Sequence, residues 1–409
     1  MKKLLFPLLI STQVLAAPIP DNEKVSALLE GQREIRSLSE MAKLGLNEGE
    51  TSLDLWSSSY WPHFQGSVAV RYRESEFMHW MANNGQFEKF KKIFEGAPLY
   101  TFMGRENILS PAEKYDLLIG DREMSLTKYA WEIGEKASIG GKVKTWRGLC
   151  DGWASGSQMM PRPVKTITLN TPEGTPITFY PEDVKALGSL MYARSQGPVI
   201  FIGKRCRGAL IGVFNNSCKG TNPAVFHGAL VNRVGKLKKS FIADISPNSE
   251  VWNYPVESYK ISYYNVFTDE ESNNFEEVKE LFDKKKKFAK KNSRHKSTHS
   301  IVGVKVTVNF RDMKDASLSE FDSKEFDKTL TKKYEYDLEL DRYNNILGGE
   351  ASSWDFPDFI WAPNDKTYPL SDIEESRSRL PLVEQSRISS KKGQPLSQVV
   401  EKLFTKSIE

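Results

Sequence analysis

Cysteine is scarce in this chain, with three in 409 residues. The cysteines include no CxxC pair, and no histidine lies near enough to Cys206 and Cys218 to complete a metal set, so they do not read as a metal cluster. Charge of one sign is also in short supply: a net charge of +4 is too mild to argue for a nucleic-acid or membrane partner. Beyond the first residues, no stretch approaches about 18 consecutive apolar positions, which excludes the pattern of a membrane-spanning helix. No internal repeat is present. What remains is a composition of 39% apolar and 27% charged residues with 22 Phe, 15 Tyr and 9 Trp. That is a globular chain with a core to bury, long enough for one large or two medium domains.

Residues 1–16 begin Met1-Lys-Lys, continue as an apolar run from Leu4 to Leu15 and end at small residues. This is the pattern of a secretory signal cleaved near Ala16 or Ala17, and it predicts a secreted or periplasmic protein. In an oxidising compartment Cys206 and Cys218, in a loop rich in Gly and Asn, are expected to form a disulfide. In the loop-closure account so short a ring contributes about 3 kcal/mol. Cys150 is then the free thiol.

Cys150 sits in Trp146-Arg-Gly-Leu-Cys-Asp-Gly-Trp-Ala154 and opens a segment that Pro161 terminates. The pattern predicts a turn leading into a helix with Cys150 at its start, where unpaired N–H groups and the dipole favour the thiolate. A buried, inert thiol is the plainer alternative. Upstream, Val25, Leu28, Leu29, Ile35, Leu38, Met41 and Leu44 have helical spacing, as in a packing helix or a removable pro-segment. Amphipathic helices are expected at 76–82 and 86–94, and His63 and His79 in their apolar surroundings read as structural histidines. Ser110 and Pro111 open another helix that Gly120 ends, and Pro181 starts one reaching Arg194. Short strands are expected at 166–169 and 177–180.

Residues 224–232 and 240–245 read as two strands joined through Gly235-Lys236. A turn centred there sets His227 opposite Asp244, with Cβ atoms about 5 Å apart. Nucleophile, imidazole and orienting carboxylate would then be Cys150, His227 and Asp244, the logic of thiol acyl transfer. Further on, a strand is expected near 251–260, an acidic helix over 269–280 and a solvated basic run over 284–296. Strands follow at 300–310 and 334–340.

Gly148-Leu-Cys150-Asp-Gly-Trp-Ala, Asn222-Pro-Ala-Val-Phe-His227, Phe241-Ile-Ala-Asp244 and Val251-Trp-Asn-Tyr-Pro-Val256 together resemble, in order and context, the transglutaminase elicitor family. Ser59-Tyr-Trp-Pro62 and 348–361 add to the likeness, which covers roughly residues 50 to 365. The resemblance implies an α+β, papain-like transglutaminase core. In it the Cys-bearing helix packs on an antiparallel sheet carrying the His and Asp of a Cys150, His227, Asp244 triad. The chain then divides into a signal (1–16), an N-terminal helical segment or pro-segment (17–50), a catalytic core (51–265), a charged linker (266–299), a C-terminal β-rich extension of the same family region (300–365) and a polar tail with one terminal helix (366–409). Val251, Trp252, Asn253, Pro255 and Val256 resemble the family's surface elicitor peptide.

Leu149 and Asp151 replace the Gln and Trp that flank the cysteine of animal transglutaminases, so Trp146, Trp153 and Trp61 stand as unranked candidates for the oxyanion donor besides the Cys150 N–H. Calcium enters by resemblance alone, since no acidic loop has a ligand pattern. The implied reaction joins accessible Gln and Lys side chains of protein substrates through a Cys150 thioester. A cysteine hydrolase (deamidase or peptidase) using the same residues, and an inactive recognition protein, are the alternatives.

Overall fold

A computed structural model describes residues 17–18, 23–74, 106–194, 200–206, 220–246, 248–282, 294–352, 356–363 and 379–409. The expected signal peptide, the helices at 76–82 and 86–94 with His79, Cys218 and most of the basic run lie outside these residues.

Thirteen strands are found among the described residues, most of them in one antiparallel sheet. The named strands are β1 (Ala17–Pro18), β2 (Glu48–Glu50), β3 (Ile167–Asn170), β4 (Pro176–Phe179), β5 (Ile200–Gly203), β6 (Ile242–Asp244) and β7 (Asn253–Tyr264). They continue with β8 (Glu271–Ser272), β9 (Glu280–Leu281), β10 (Ser300–Asp312), β11 (Lys328–Leu340), β12 (Ile346–Ala351) and β13 (Phe359–Ala362). The main sheet runs β1-β12-β11-β10-β7-β6-β13-β5, while β3 and β4 form a separate hairpin. Its centre is the long pairing of β10 with β11 on one side and β7 on the other. Those strands supply Val302, Val304, Ile261 and Tyr336 to a first core, which alternates inward as a half-buried strand must. The strands from 300 onward continue the sheet that carries Asp244.

Helices pack both cores, those at 38–43 and 223–229 the first and those at 111–193 and 397–408 the second. They are α1 (Leu38–Lys43), α2 (Pro111–Leu118), α3 (Ser125–Ala137), α4 (Cys150–Met159), α5 (Pro181–Ala193), α6 (Pro223–Ala229), α7 (Leu382–Ser390) and α8 (Ser397–Ile408). The Ser110 hydroxyl accepts from Glu113 N–H while the Glu113 carboxylate accepts from Ser110 N–H, a capping box with Pro111 at the first turn. Two of the helix readings thus start where Pro111 and Pro181 place them. Residues 25–41 turn inward: Val25, Leu28, Ile35, Leu38 and Met41 are buried in the first core, so this segment packs the fold and does not cover Cys150. The stretch after 366 ends in the helix α8, and Leu396, Val400, Leu403 and Phe404 of the α8 region fill the second core. Within the expected linker, 266–299, β8, β9 and the single helical turn Phe275–Val278 are ordered, and Arg294 binds Asp337 at 2.6 Å.

The strand expected over 224–232 is absent. Asn222 caps a helix by accepting the Ala224 N–H at 2.9 Å, Pro223 fills its first position, and the helix runs on as a π-helical turn through Leu230–Lys236. The reason is burial on every side: Val225, Phe226, Ala229, Leu230, Val231 and Val234 are all enclosed. A helix without a wet face has no period to read, and its apolar run imitates a strand. Only the second arm, β6, forms, and it pairs with β7 and β13.

Candidate active site

Cys150 occupies the first position of α4 because the chain before it is clamped to the 60–63 segment. The Leu149 N–H donates to the Tyr60 carbonyl (2.6 Å) and the His63 N–H to the Arg147 carbonyl (2.9 Å). Gly148 lies so close that a Cβ there would run into the Tyr60 carbonyl. The clamp brings His63 to the wall of the same cavity as Cys150, about 550 Å³ in volume, with Trp146, Arg147, Arg194, Val251 and Asn253. Cys150 is a free cysteine, only 6% exposed.

The thiol has two polar neighbours. Its Sγ donates to the Val251 carbonyl at 3.6 Å, and the Asn253 Nδ2 donates to it at 3.5 Å. Asn253 cannot turn its amide over without loss, because its Oδ1 accepts the Trp361 indole N–H at 2.8 Å. The indole is a donor only, so it fixes which end of the amide faces sulfur. Beyond this, the Cys150 N–H stands at a helix start, where it has no intrahelical acceptor. The Asn253 amide is thus the donor seated on Sγ, next to a helix-start N–H that the helix itself leaves unused.

Burial pushes the Cys150 thiol up to about 12, and the neighbouring Asp151 adds to the rise while Asn253 opposes it. The helix start favours the thiolate, and desolvation of the enclosed sulfur opposes it more strongly. Burial, reinforced by Arg194 and Arg147, depresses His63 to about 4. Its Nδ1 is buried without a partner. Burial thus favours the neutral form of both the thiol and the His63 imidazole.

Asp244 ends β6 opposite Asn253 on β7, close enough to Cys150 to act on its charge. Its Oδ1 accepts from the N–H groups of Trp252 (2.9 Å) and Ser246 (3.2 Å), and burial raises it to about 7 against those two bonds. His227 is elsewhere. With the hairpin replaced by α6, its Nδ1 pairs with the Tyr336 hydroxyl at 2.9 Å inside the first core, and it does not line the Cys150 cavity. Burial alone takes it down to about 3. The His227–Asp244 pairing drawn from a hairpin register is therefore not formed.

Of the three tryptophans, Trp146 lines the cavity. The Trp153 indole is committed to the Trp56 carbonyl at 3.0 Å, and the buried Trp61 indole N–H has no partner but is not among the cavity residues. The stretch expected at the surface is mostly interior: Asn253 and Val256 are 4% and 0% exposed, and Pro255 is buried, with Val251 and Trp252 half-buried. Strand alternation explains why. Val251 and Asn253 face the Cys150 cavity, whereas Trp252 and Tyr254 line a second cavity of about 450 Å³ with Tyr60. The Trp252 and Tyr60 rings meet edge to face at 5.3 Å. Sequence reasoning missed Asn253 and Trp361, and set His63 aside as structural. The available signal was Asn253 nine residues after Asp244, at the far side of a short β6–β7 connection.

Cys206 is buried, with its N–H on Asp358, while Cys218 lies outside the described residues. Among the described residues no group of three or more His, Cys, Asp or Glu is placed to hold a metal ion. No described helix is long and apolar enough to cross a membrane.

No curated protein sequence matches the chain. Among solved structures, the crystal structure of the GP42 transglutaminase from Phytophthora sojae is similar at a TM-score of 0.61 and 20% identity, covering 95% of this chain and 97% of that one. At that identity the likeness concerns the fold, a mixture of helices and antiparallel sheet. The model of the transglutaminase elicitor family matches residues 31–374, and the chain belongs to that family.

Proposed function

We propose that this protein is an exported thiol acyltransferase that links a protein glutamine to a lysine or other primary amine through a Cys150 thioester. The observation that carries the proposal is the free Cys150 at a helix start, held against the Asn253 amide in a cavity that also contains His63. The N-terminal pattern of residues 1–16 supports export, and a Cys206–Cys218 bridge fits the same compartment.

In this reading the neutral thiol gives its proton to the His63 imidazole as Sγ attacks the carboxamide carbon. The developing oxyanion is received by the Cys150 N–H and the Asn253 amide. The imidazolium then protonates the departing ammonia, leaving the thioester. An incoming amine attacks the thioester, gives up its proton to the imidazole, and leaves as an isopeptide while Sγ is reprotonated. Asp244 holds the Trp252 N–H and so supports the strand that presents Asn253. With His227 bound to Tyr336, we assign the acid–base role to His63 in its place. Water in place of the amine gives the hydrolase reading with the same residues.

The test is incubation with a glutamine-bearing protein and a fluorescent primary amine, with and without calcium. Amine incorporation that vanishes in Cys150→Ala and falls about a hundredfold or more in His63→Ala supports the reading. His227→Ala should keep its rate per folded molecule within a few fold. Release of ammonia or peptide without amine incorporation makes the site hydrolytic, and no chemistry at all favours a recognition protein on an inactive scaffold.

A further inference from the structure

The Cys150 cavity is strongly basic. Lys136, Arg147, Arg194 and Arg205 line it against the single carboxylate of Asp151. A cation cluster is ordinarily neutralised by acids nearby, and Lys136 does pair with Glu132 at 3.1 Å. The three arginines are different: none forms an ion pair with a carboxylate among the described residues. Their planar groups are disposed around aromatic rings instead, with Arg147 and Arg205 both lying 5.7 and 5.4 Å from the Trp146 ring and Arg194 5.8 Å from that of Tyr129. The Arg194 Nε is buried with no partner. Arg205 also gives one Nη2 bond to the Ser249 carbonyl at 2.8 Å. Guanidinium groups held beside aromatic rings without a carboxylate ion pair are suited to planar acceptors such as carboxylates.

The cluster has a second consequence. Three arginines without a carboxylate ion pair in the thiol's cavity repel an arriving ammonium, so a lysine-rich segment is a poor occupant of this side. A neutral carboxamide flanked by carboxylates suits it well.

We propose that the cavity selects acyl donors whose glutamine lies beside aspartate or glutamate, the carboxylates resting on Arg147, Arg194 and Arg205 while the carboxamide reaches Cys150. This rests on the assignment of Cys150 as an acyl nucleophile, and the experiment separates the two. Three fluorescent peptides of equal length, with glutamine flanked by Glu, Ser or Lys, are titrated against the Cys150→Ala protein by anisotropy at low and high salt. The same peptides serve as donors for the unaltered protein in amine incorporation.

The Glu-flanked peptide should bind about tenfold more tightly than the Ser-flanked one at low salt, and the advantage should shrink at high salt as ions screen it. The Lys-flanked peptide should bind most weakly. Arg147→Gln and Arg205→Gln, at positions outside the core, should remove most of the preference while thermal melting stays unchanged. Equal binding of the three peptides, or a preference indifferent to salt and to both substitutions, overturns the proposal. Selective binding without any amine incorporation upholds the donor selectivity and overturns the acyltransferase reading alone.

Discussion

Asn253 is the side chain on which the site geometry turns. Its amide is shared between the Trp361 indole and the Cys150 sulfur, so its orientation is fixed before any substrate arrives. Losing one oxyanion donor of this kind costs about a hundredfold or more in kcat. Asn253→Ala should therefore lower kcat by about that factor with little change in KM, as steady-state amine incorporation would read. A fall in KM affinity with kcat unchanged would make Asn253 a binding residue only. Cys150 was legible in the sequence because Gly148 and the run to Pro161 mark a turn and a helix. Its ionisation was not, since position along a helix says nothing about the burial that, with Asp151 beside it, raises the thiol against the Asn253 hydrogen bonds. Slow alkylation by iodoacetamide at pH 7 and acceleration only at strongly alkaline pH are expected from a thiol near 12. Brisk alkylation at pH 6 would show that the thiolate is already formed.

At the scale of the element, α6 shows what the sequence conceals. Asn222-Pro223 is a helix-start signal in hindsight, yet the apolar residues behind it are buried on all sides and carry no period. His227 rides into the core with that helix. A histidine held neutral to about pH 3 in the fold but protonated near pH 6.5 when unfolded is a lowered pKa, so its contribution is present above about 6.5 and is lost as pH falls through that window. Asp244 and Asp116, both raised to about 7, act in the opposite direction over the same range, so the whole protein is a poor reporter. The difference between the unaltered protein and His227→Gln isolates the term. Between pH 6.5 and 4.5 in urea, the unaltered protein should lose about 2 to 3 kcal/mol more stability than the variant. Parallel pH profiles would show that His227 is not buried neutral. The helix pair α4 and α5 meets at Gly152, where a Cβ would strike the Ser189 carbonyl and Ala193. Gly152→Ala should cost about 1 to 3 kcal/mol and reduce turnover, because the helix that carries Cys150 must shift. Unchanged melting would mean the two helices are not so closely apposed.

Across the whole molecule, two cores meet along β6, β7 and α4, and the candidate site lies at that seam. Helices supply Cys150, the clamp supplies His63, and the sheet supplies Asn253 and Trp361. The seam is tied by Arg162, just past the Cys150 helix, whose buried guanidinium binds Asp54 (3.0 Å), Asp322 (3.0 Å) and Asp327 (2.6 Å). Removing one partner of a buried ionic cluster leaves the others uncompensated, so Arg162→Ala should lower stability by about 3 to 5 kcal/mol in urea unfolding. A loss below about 1 kcal/mol would mean that the cluster is solvated. Strand and helix content, and the place of Cys150, could be read from local pattern; the partners of Cys150 could not, because His63 and Trp361 come from opposite ends of the chain and only tertiary packing joins them.

The most direct measurement is intact-mass analysis of the protein after brief exposure to a glutamine peptide without an amine acceptor. The account expects an adduct on Cys150 equal to the peptide less one ammonia, released by added primary amine and absent in Cys150→Ala. Amine incorporation that persists in Cys150→Ala, with no adduct on the unaltered protein, would contradict it.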